Sequence, residues 1–324
     1  MTSSAQPWPR AVAGARQESK VRSYARLAKF DVYDYYLSIL VVLSAVLFPA
    51  AAFDAVTVPA LLLFLAGEVL VTAAMVALDD VTGYYDGSDA ANYGPDTPTR
   101  RLLRKPLVAG TLTVAEAKWF GWLAASAGGV LWLLAAVISP HSPLWTVILL
   151  AVTFVLMPQY SYGVKLSYRG FQEAFLAALG LALVLVPYGL IAGEFSGFIL
   201  VQGLIFGMGP LLFGVYSNTN DIEGDRAVGR PTMAVLASAK GNARFIGALS
   251  VAEFAFGALG SLTGLAPWWF VLLMLPTTAL RAVQFRIGFS GDGDIMTARK
   301  LGFKVHRVSV VLLVLANLIA AATA

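Results

Sequence analysis

The sequence has 324 residues, of which 58% are hydrophobic and 13% are charged, and its formal net charge is +4. A soluble domain of this size cannot bury so much apolar side chain, so the excess indicates a protein that is solvated by lipid. The absence of cysteine excludes disulfides and thiolate metal sites. Two histidines are too few for a histidine-rich metal site, and the small net charge does not indicate nucleic-acid binding.

Nine segments have the apolar composition of bilayer-crossing helices, which need roughly 20 mostly apolar residues. In chain order they are 35–53, 58–78, 117–138, 143–162, 171–193, 196–217, 243–263, 267–285 and 306–323. This pattern predicts an all-α integral membrane protein of about nine transmembrane helices. The residues before the first segment are polar and basic, so 1–34 are predicted to form an N-terminal arm and 35–324 the membrane domain.

The basic residues predict the orientation of these helices. All 23 Lys and Arg residues lie in the arm or in the even-numbered connections, including the helix ends beside them. Because basic residues are enriched on the cytoplasmic side of a membrane, the arm and the even-numbered connections are predicted to be cytoplasmic. Nine spans then place the C-terminus outside, and the expected location is a multi-pass position in the cell membrane.

Two acidic clusters follow the second and the sixth predicted helix, and both are expected in cytoplasmic loops. The first occurs in the run ALDDVTGYYDGSD and contains Asp79, Asp80, Asp86 and Asp89. Long polar loops that lie on one face of a helical bundle are suited to building a site. Simple solvation of these carboxylates is the alternative, but two such clusters on one side, each beside basic residues, favour a shared site.

The second cluster, in SNTNDIEGDRAVG, contains Asp221 and Asp225 at a spacing of four, which puts both carboxylates on one face of a helix. Mg²⁺ is the natural ion for such oxygen ligands, since it binds through carboxylates together with substrate phosphates. Basic residues near the cluster are available for phosphate oxygens: Lys165, Arg169, Arg226 and Arg230. The two clusters therefore indicate a magnesium–diphosphate site, with the apolar remainder of the substrate inside the bundle.

With these residues in place, the chain resembles the UbiA superfamily of intramembrane prenyltransferases over nearly its whole length. The segment NDIEGDRAVG is similar to the second Asp-rich motif of that family, D-x-x-x-D-x-x-x-G, which falls on Asp221, Asp225 and Gly229. The segment YSYGVKLSYRG resembles the family's Tyr/Lys element, carried here by Tyr162 and Lys165. The segment KPLVAG resembles the family's R-P-L-x-x-G stretch, with lysine in place of arginine.

The resemblance implies one helical bundle around a central apolar chamber that opens to the cytoplasmic loops. It also implies Mg²⁺-dependent loss of diphosphate from an allylic polyprenyl diphosphate, and transfer of the prenyl group to an aromatic or lipid acceptor. The residues implied for metal binding and catalysis are Asp79, Asp80, Asp86, Asp89, Asp221 and Asp225, with Tyr162 and Lys165. Those implied for diphosphate binding are Lys105, Lys165, Arg169 and Arg226.

Four further side chains are candidates for the substrate chamber. Glu68 lies inside the second predicted helix, about three turns before Asp79, and an ionisable group within a span is a functional candidate by default. Phe213 and Tyr216 lie near the cytoplasmic end of the sixth helix, where aromatic rings can stabilise a carbocation. Asn218 lies three residues before Asp221.

The first acidic cluster departs from the family pattern N-x-x-x-D-x-x-x-D, because counting from Asp79 gives Gly83 and Gly87. Altered first motifs also occur in the terpene cyclases of this superfamily. An intramembrane cyclase acting on farnesyl or geranylgeranyl diphosphate is therefore the alternative to a transferase. A transporter is a remote alternative, since carriers place their sites near the membrane midplane and these charges lie at one face.

Overall fold

The computed structural model describes residues 18–32, 34–50, 55–92, 102–291 and 293–323. Within this part of the chain the regular secondary structure is helical, with no strand. The helices are α1 (Lys20–Leu27), α2 (Ser38–Ala50), α3 (Thr57–Asp86), α4 (Ser88–Asn92), α5 (Val114–Ile138), α6 (Leu144–Leu156), α7 (Gln172–Ala192), α8 (Gly197–Asn220), α9 (Ile222–Ala227), α10 (Met233–Leu236), α11 (Ala239–Thr263), α12 (Phe270–Leu273), α13 (Leu275–Phe289) and α14 (Ile295–Thr323). Short 3₁₀ helices form at Tyr35–Leu37 and Leu166–Arg169.

Six of the described helices are long and apolar enough to cross a membrane: α3, α5, α7, α8, α11 and α14. Two shorter apolar helices cover Tyr35–Phe48 and Leu144–Leu156. Each of the nine predicted segments overlaps a helix, although segment 267–285 is divided between α12 and α13. The fold is therefore an all-α membrane bundle, and the count of nine spans stays a prediction.

Two pairs of helices pack closely where a glycine of one helix lies against the neighbouring helix. A methyl group added at Gly180 of α7 would lie 2.5 Å from the Cα of Gly207 on α8. One added at Gly128 of α5 would lie 2.7 Å from Cγ2 of Val71 on α3. Small residues allow such close backbone approach between helices in lipid, where dispersion contacts and not water exclusion drive association. The first pair holds α7 against α8, and the second holds α5 against α3.

A buried ion pair joins two helices inside the bundle. Arg281, which the sequence analysis assigned to a helix end, lies inside α13 at 1% exposure. Its guanidinium donates to both carboxylate oxygens of Glu253 on α11, at 2.7 and 2.9 Å, and to Gln284 at 2.9 Å. Bilayer hydrocarbon offers no hydrogen-bond partners, so an ion pair that crosses between helices satisfies both groups.

Part of the predicted N-terminal arm packs against the bundle. Leu27 of α1 is fully buried in a cluster with Ala77 and Val81 of α3 and Ala117 of α5. The chain then turns at Lys29, whose positive φ of 51° is unusual for a residue with a side chain. This turn carries the Lys29 side chain to the end of α3, where the first acidic cluster lies.

Candidate active site

A chamber of about 350 Å³ lies at the end of the bundle where α3 and α8 carry the two acidic clusters. Its charged end contains four carboxylates and five basic side chains: Asp79, Asp89, Asp221, Asp225, Lys29, Arg104, Lys105, Arg230 and Arg299. Its other walls are mainly apolar and aromatic: Val32, Tyr35, Tyr36, Met75, Val76, Tyr160, Leu176, Pro210, Phe213, Met296 and Phe303. The chamber therefore has one charged end and one apolar body.

The first acidic cluster lies mostly on a helix, so the prediction of a loop is wrong here. Helix α3 continues past Asp79 and Asp80 to Asp86 and ends at Gly87, whose φ is +83°. Glycine adopts this left-handed backbone without steric cost, and the chain reverses direction there. The turn brings Asp89 back over Gly83: a methyl group added at Gly83 would lie 2.8 Å from the Asp89 Cγ. Asp89 thus fills the space where a side chain at position 83 would stand.

Two lysines lie among the carboxylates of the first cluster. The ammonium of Lys105 contacts Oδ1 of Asp80 at 2.8 Å and Oδ1 of Asp89 at 2.6 Å. The ammonium of Lys29 lies 3.2 Å from Oδ1 of Asp80 and 3.8 Å from Oδ2 of Asp79. Asp80 is 1% exposed and is not part of the chamber surface, so it lies behind these lysines.

The second cluster meets the first at Arg230. Asp221 caps the C-terminus of α8, and Asp225 lies one turn later on α9. The two terminal nitrogens of Arg230 lie 3.7 Å from Oδ1 of Asp225 and 3.8 Å from Oδ1 of Asp79. The structure therefore brings together carboxylates from the two acidic clusters, which are far apart in sequence, on one chamber.

Arg230 is held in place by Tyr168, which lies in the short 3₁₀ helix Leu166–Arg169. The Arg230 guanidinium donates to the Tyr168 hydroxyl at 2.8 Å and lies 4.4 Å from the centre of that ring. The Tyr168 hydroxyl in turn donates to Oδ2 of Asp86. Asp86 does not line the chamber. It is linked to the site through this tyrosine and arginine, and it also accepts a hydrogen bond at 3.0 Å from the backbone of Ser88, which lines the chamber.

Asp225 and Asp89, which lie beyond the membrane-spanning helices, have altered acidity. Burial raises the pKa of Asp225 to about 6, against the opposing effect of Arg230 and with a further rise from Asp221 and Asp79. Burial also raises the pKa of Asp89 to about 6, against the opposing effect of Lys105. Both groups are therefore mostly ionised at pH 7 and become neutral in mildly acidic solution.

The apolar body of the chamber is built from α3, α7, α8 and α14, and it includes an aromatic stack. The rings of Phe213 on α8 and Phe303 on α14 stack with centroids 4.4 Å apart, and Tyr35 contacts Phe213 edge-on at 6.0 Å. Near the charged end, Asn218 accepts a hydrogen bond from Gln172 at 2.8 Å. Phe213 and Asn218, both predicted for the chamber, line it.

Other predicted chamber residues lie outside its lining. Tyr216 points away from Phe213 and packs on Phe289, with ring centroids 5.7 Å apart. Glu68 is fully buried between α3 and the start of α2, where the Ser38 hydroxyl donates to its carboxylate at 3.3 Å. Neither residue lines the chamber: Glu68 lies one turn before Thr72, a wall residue on α3, whereas Tyr216 packs on Phe289 although its neighbours Gly214 and Ser217 line the wall.

The predicted Tyr/Lys element and two predicted arginines also lie outside the chamber lining. Tyr162 packs against Trp122 edge-on, at 6.0 Å between ring centroids. Lys165, Arg169 and Arg226 are exposed, and the Lys165 ammonium lies 5.1 Å from the centre of the Tyr168 ring. The chain is not helical from 157 to 165, so helical periodicity does not indicate which of these side chains faces inward.

Several site residues were not identified from the sequence. Lys29 belongs to the predicted arm, Arg104 precedes the KPLVAG segment, and Arg299 lies at the start of α14. Tyr168 lies within YSYGVKLSYRG, but the family element drew attention to Tyr162 instead. The sequence offered only the positive charge of Lys29, Arg104 and Arg299 as a signal, since all three belong to the basic residues that predict the orientation of the helices.

The carboxylates of this site suit a hard, oxygen-seeking cation. Oδ1 of Asp79 is buried without a hydrogen-bond partner among the described residues. Asp221 and Asp225 face the same chamber. No three His, Cys, Asp or Glu side chains converge on one point in the described part of the chain. This fits Mg²⁺, which commonly takes one or two carboxylates and completes its shell with water and substrate phosphates.

The fold and the site define a helical membrane protein whose internal chamber is charged at one end and apolar at the other. The chain belongs to the UbiA prenyltransferase family, whose model matches residues 38–295. A comparison with curated protein sequences finds no match.

Solved structures share the fold at low sequence identity. A UbiA homologue from Archaeoglobus fulgidus bound to DMAPP and Mg²⁺ has a TM-score of 0.66 at 13% identity, over 93% of this chain and 100% of that one. A UbiA homologue from Aeropyrum pernix K1 has a TM-score of 0.61 at 18% identity, over 89% and 97%. Digeranylgeranylglyceryl phosphate synthase has a TM-score of 0.62 at 16% identity, over 94% and 99%.

Proposed function

We propose that this protein ionises an allylic isoprenoid diphosphate with the help of Mg²⁺ and transfers the prenyl group to an acceptor. The observation that carries this proposal is the position of Arg230 between Asp79 and Asp225. One charged surface of the chamber thereby combines carboxylates for a metal with a cation for phosphate. The Archaeoglobus fulgidus homologues of the same fold, solved with DMAPP or GPP and Mg²⁺, support the same class of substrate.

The roles follow from charge and position. Mg²⁺ would be held by one or two of the carboxylates of Asp79, Asp221 and Asp225, and Lys105 and Arg230 would bind the diphosphate oxygens. When bound, Mg²⁺ supplies a Lewis acid that offsets the negative charge developing on the departing diphosphate. Ammonium and guanidinium groups stabilise that charge best when they are already oriented, and Tyr168 orients Arg230 in this way.

The apolar body would hold the prenyl tail and exclude water from the reactive carbon. Met75, Leu176, Phe213 and Phe303 form its walls. The ring faces of Phe213 and Phe303 would stabilise positive charge on the allyl group after the bond to diphosphate breaks. The acceptor is proposed to be an aromatic or lipid molecule, and the site is proposed to face the cytoplasm, on the same side as the N-terminus.

A product analysis tests this function. Purified protein is incubated with Mg²⁺ and geranyl, farnesyl or geranylgeranyl diphosphate, with and without aromatic and lipid acceptors, and products are identified by mass spectrometry. We expect diphosphate release together with a prenylated acceptor. A terpene hydrocarbon or alcohol formed without acceptor would instead assign the chain to the cyclase class. Lack of diphosphate release from all three donors, with every acceptor, would contradict both assignments.

A further inference from the structure

The two acidic clusters differ in how their charge is balanced. In the first cluster, the carboxylates of Asp80 and Asp89 are matched by the ammonium groups of Lys29 and Lys105. On the other side of the chamber the contacts are longer: Arg230 lies 3.8 Å from Oδ1 of Asp79 and 3.7 Å from Oδ1 of Asp225, and Asp221 also lines the chamber. Among the described residues Oδ1 of Asp79 is buried without a hydrogen-bond partner, so carboxylate oxygens on this side are available to a divalent ion.

We propose that Asp80 and Asp89 hold the ammonium groups of Lys29 and Lys105 for the diphosphate and do not bind the metal, which is held by one or two of the carboxylates of Asp79, Asp221 and Asp225. This inference rests on the proposed function and assigns a different chemical task to each cluster. It makes Lys29 a diphosphate-binding residue, although Lys29 lies outside the residues that match the family model, 38–295.

Geometry places Asp80 behind the lysines. The Oδ1 atom of Asp80 contacts both ammonium groups, at 2.8 Å from Lys105 and 3.2 Å from Lys29. Its Oδ2 atom is buried without a hydrogen-bond partner, but Asp80 does not reach the chamber surface. Both lysines do line the chamber. A carboxylate with this placement orients the cations in front of it, and oriented ammonium groups bind phosphate oxygens strongly.

Two backbone features bring these groups together. The positive φ of 51° at Lys29 turns the chain after α1 so that its side chain enters the chamber. Strained backbone of this kind is concentrated at functional sites. The left-handed Gly87 returns Asp89 to the empty space over Gly83, where it reaches Lys105. The turn at Lys29 and the turn at Gly87 together assemble the lysine pair. The second turn requires a glycine at position 83, because Asp89 occupies the space of a side chain there.

Two binding measurements on the full-length protein in detergent test this inference without turnover. The first is a Mn²⁺ titration followed by the electron paramagnetic resonance signal of the free ion. We expect Asp225→Asn to raise the apparent Kd for Mn²⁺ at least tenfold and Asp80→Asn to leave it within twofold. A loss in Asp80→Asn as large as that in Asp225→Asn would overturn the proposal.

The second measurement is the binding of inorganic pyrophosphate in EDTA, followed by calorimetry. We expect Lys29→Gln to weaken binding at least fivefold. Lys20→Gln is the matched control, because Lys20 lies on the same N-terminal segment and is paired with Glu116 away from the chamber. The proposal fails if the two lysine variants bind pyrophosphate equally well.

These measurements distinguish a folding defect from a loss of binding, and failure of this inference from failure of the proposed function. Should Asp80→Asn unfold, Lys29→Gln and Lys105→Gln decide the result, because both side chains retain some exposure to solvent. Neither measurement depends on prenyl transfer. A protein that ionises no prenyl diphosphate but shows the expected pattern would refute the proposed function alone. An active protein in which Lys29→Gln matches Lys20→Gln would refute the lysine pair alone.

Discussion

The carboxylate of Asp89 packs directly over the Cα of Gly83, so close that a methyl group at position 83 would lie 2.8 Å from its Cγ. The side chain that completes the first cluster therefore comes from the turn after α3, and not from α3 itself. Gly83 is required by this arrangement because it leaves the space that Asp89 fills, and the same space lets Asp89 reach Lys105 at 2.6 Å.

Substitution of Gly83 by alanine tests this contact. The added methyl group displaces Asp89 and breaks its ion pair with Lys105, so we expect diphosphate release to fall roughly tenfold, the equivalent of about 1.4 kcal/mol. Gly257→Ala is the control, because a methyl group there meets its neighbours at ordinary distances of 3.7 and 3.8 Å. Equal activity of the two variants would show that the position of Asp89 does not matter.

Two arginines follow Asp225 in the sequence, and a comparison of them tests whether position in the fold or closeness in sequence determines function. Arg230 lies at the chamber between two carboxylates, whereas Arg226 is exposed. We expect Arg230→Gln to lower kcat/KM for the prenyl diphosphate by about 100-fold, as for loss of a preorganised charge at a developing anion. Arg226→Gln should stay within twofold of the unaltered protein. A larger loss in Arg226→Gln than in Arg230→Gln would contradict the proposed role of Arg230 at the site.

The hydroxyl of Tyr168 is predicted to orient Arg230. Removing it in Tyr168→Phe breaks the hydrogen bonds to Arg230 and Asp86 but keeps the ring. We expect kcat to fall about tenfold, the lower end of the effect of losing a hydrogen bond to a charged group, which contributes roughly 1.5–3 kcal/mol. Tyr162→Phe should have no effect, since Tyr162 packs on Trp122 outside the chamber. Equal losses in both variants would contradict a special role of the Tyr168 hydroxyl and would support the predicted catalytic role of Tyr162.

Metal binding should weaken in mildly acidic solution. Burial raises the pKa of Asp225 to about 6, so this carboxyl gains a proton as the pH falls through 6 and can no longer bind a cation. One competing proton predicts that the apparent Kd for Mn²⁺ rises up to about tenfold for each pH unit below the pKa. A Mn²⁺ titration at pH 5 and pH 7 measures this change. The pH dependence should be smaller in Asp225→Asn, and an equal dependence in both proteins would contradict the assignment.

The buried ion pair of Glu253 and Arg281 is predicted to act on stability and not on catalysis. Glu253→Gln leaves the Arg281 charge buried and without its counter-ion, which costs about 3–5 kcal/mol in comparable pairs. We expect a lower thermal unfolding midpoint, with diphosphate release per folded molecule unchanged. The double variant Glu253→Gln with Arg281→Gln should recover part of the midpoint. A selective loss of activity at full stability would instead place this pair in the mechanism.

The long helices and the two acidic clusters were accessible from the sequence because they depend on apolar composition and on local spacing. The closure of the first cluster was not, because it depends on the left-handed turn at Gly87, which redirects Asp89. The contribution of Lys29 was hidden for a similar reason. Lys29 lies at the chamber because α1 packs against α3 and α5. The hydrophobic periodicity of the sequence does not reveal this tertiary contact.

The Tyr/Lys element shows the same limit on a smaller scale. Tyr162 and Tyr168 lie in one short segment, and only the fold determines that Tyr168 contacts Arg230 while Tyr162 packs outward. Around residues 157–165 the chain is not helical, so side-chain direction follows from individual turns and not from a repeat. Motif resemblance drew attention to this segment, but it named Tyr162 and not Tyr168, which contacts Arg230.

The central claim is that Asp79 and Asp225 act together at one metal–diphosphate site. A double-mutant cycle on diphosphate release from geranyl diphosphate tests it, using Asp79→Asn, Asp225→Asn and the double variant in the same detergent. Residues that act as a unit are strongly non-additive, so the double variant should release diphosphate about as slowly as the slower single variant. Losses that multiply, or full activity in either single variant, would contradict a shared site.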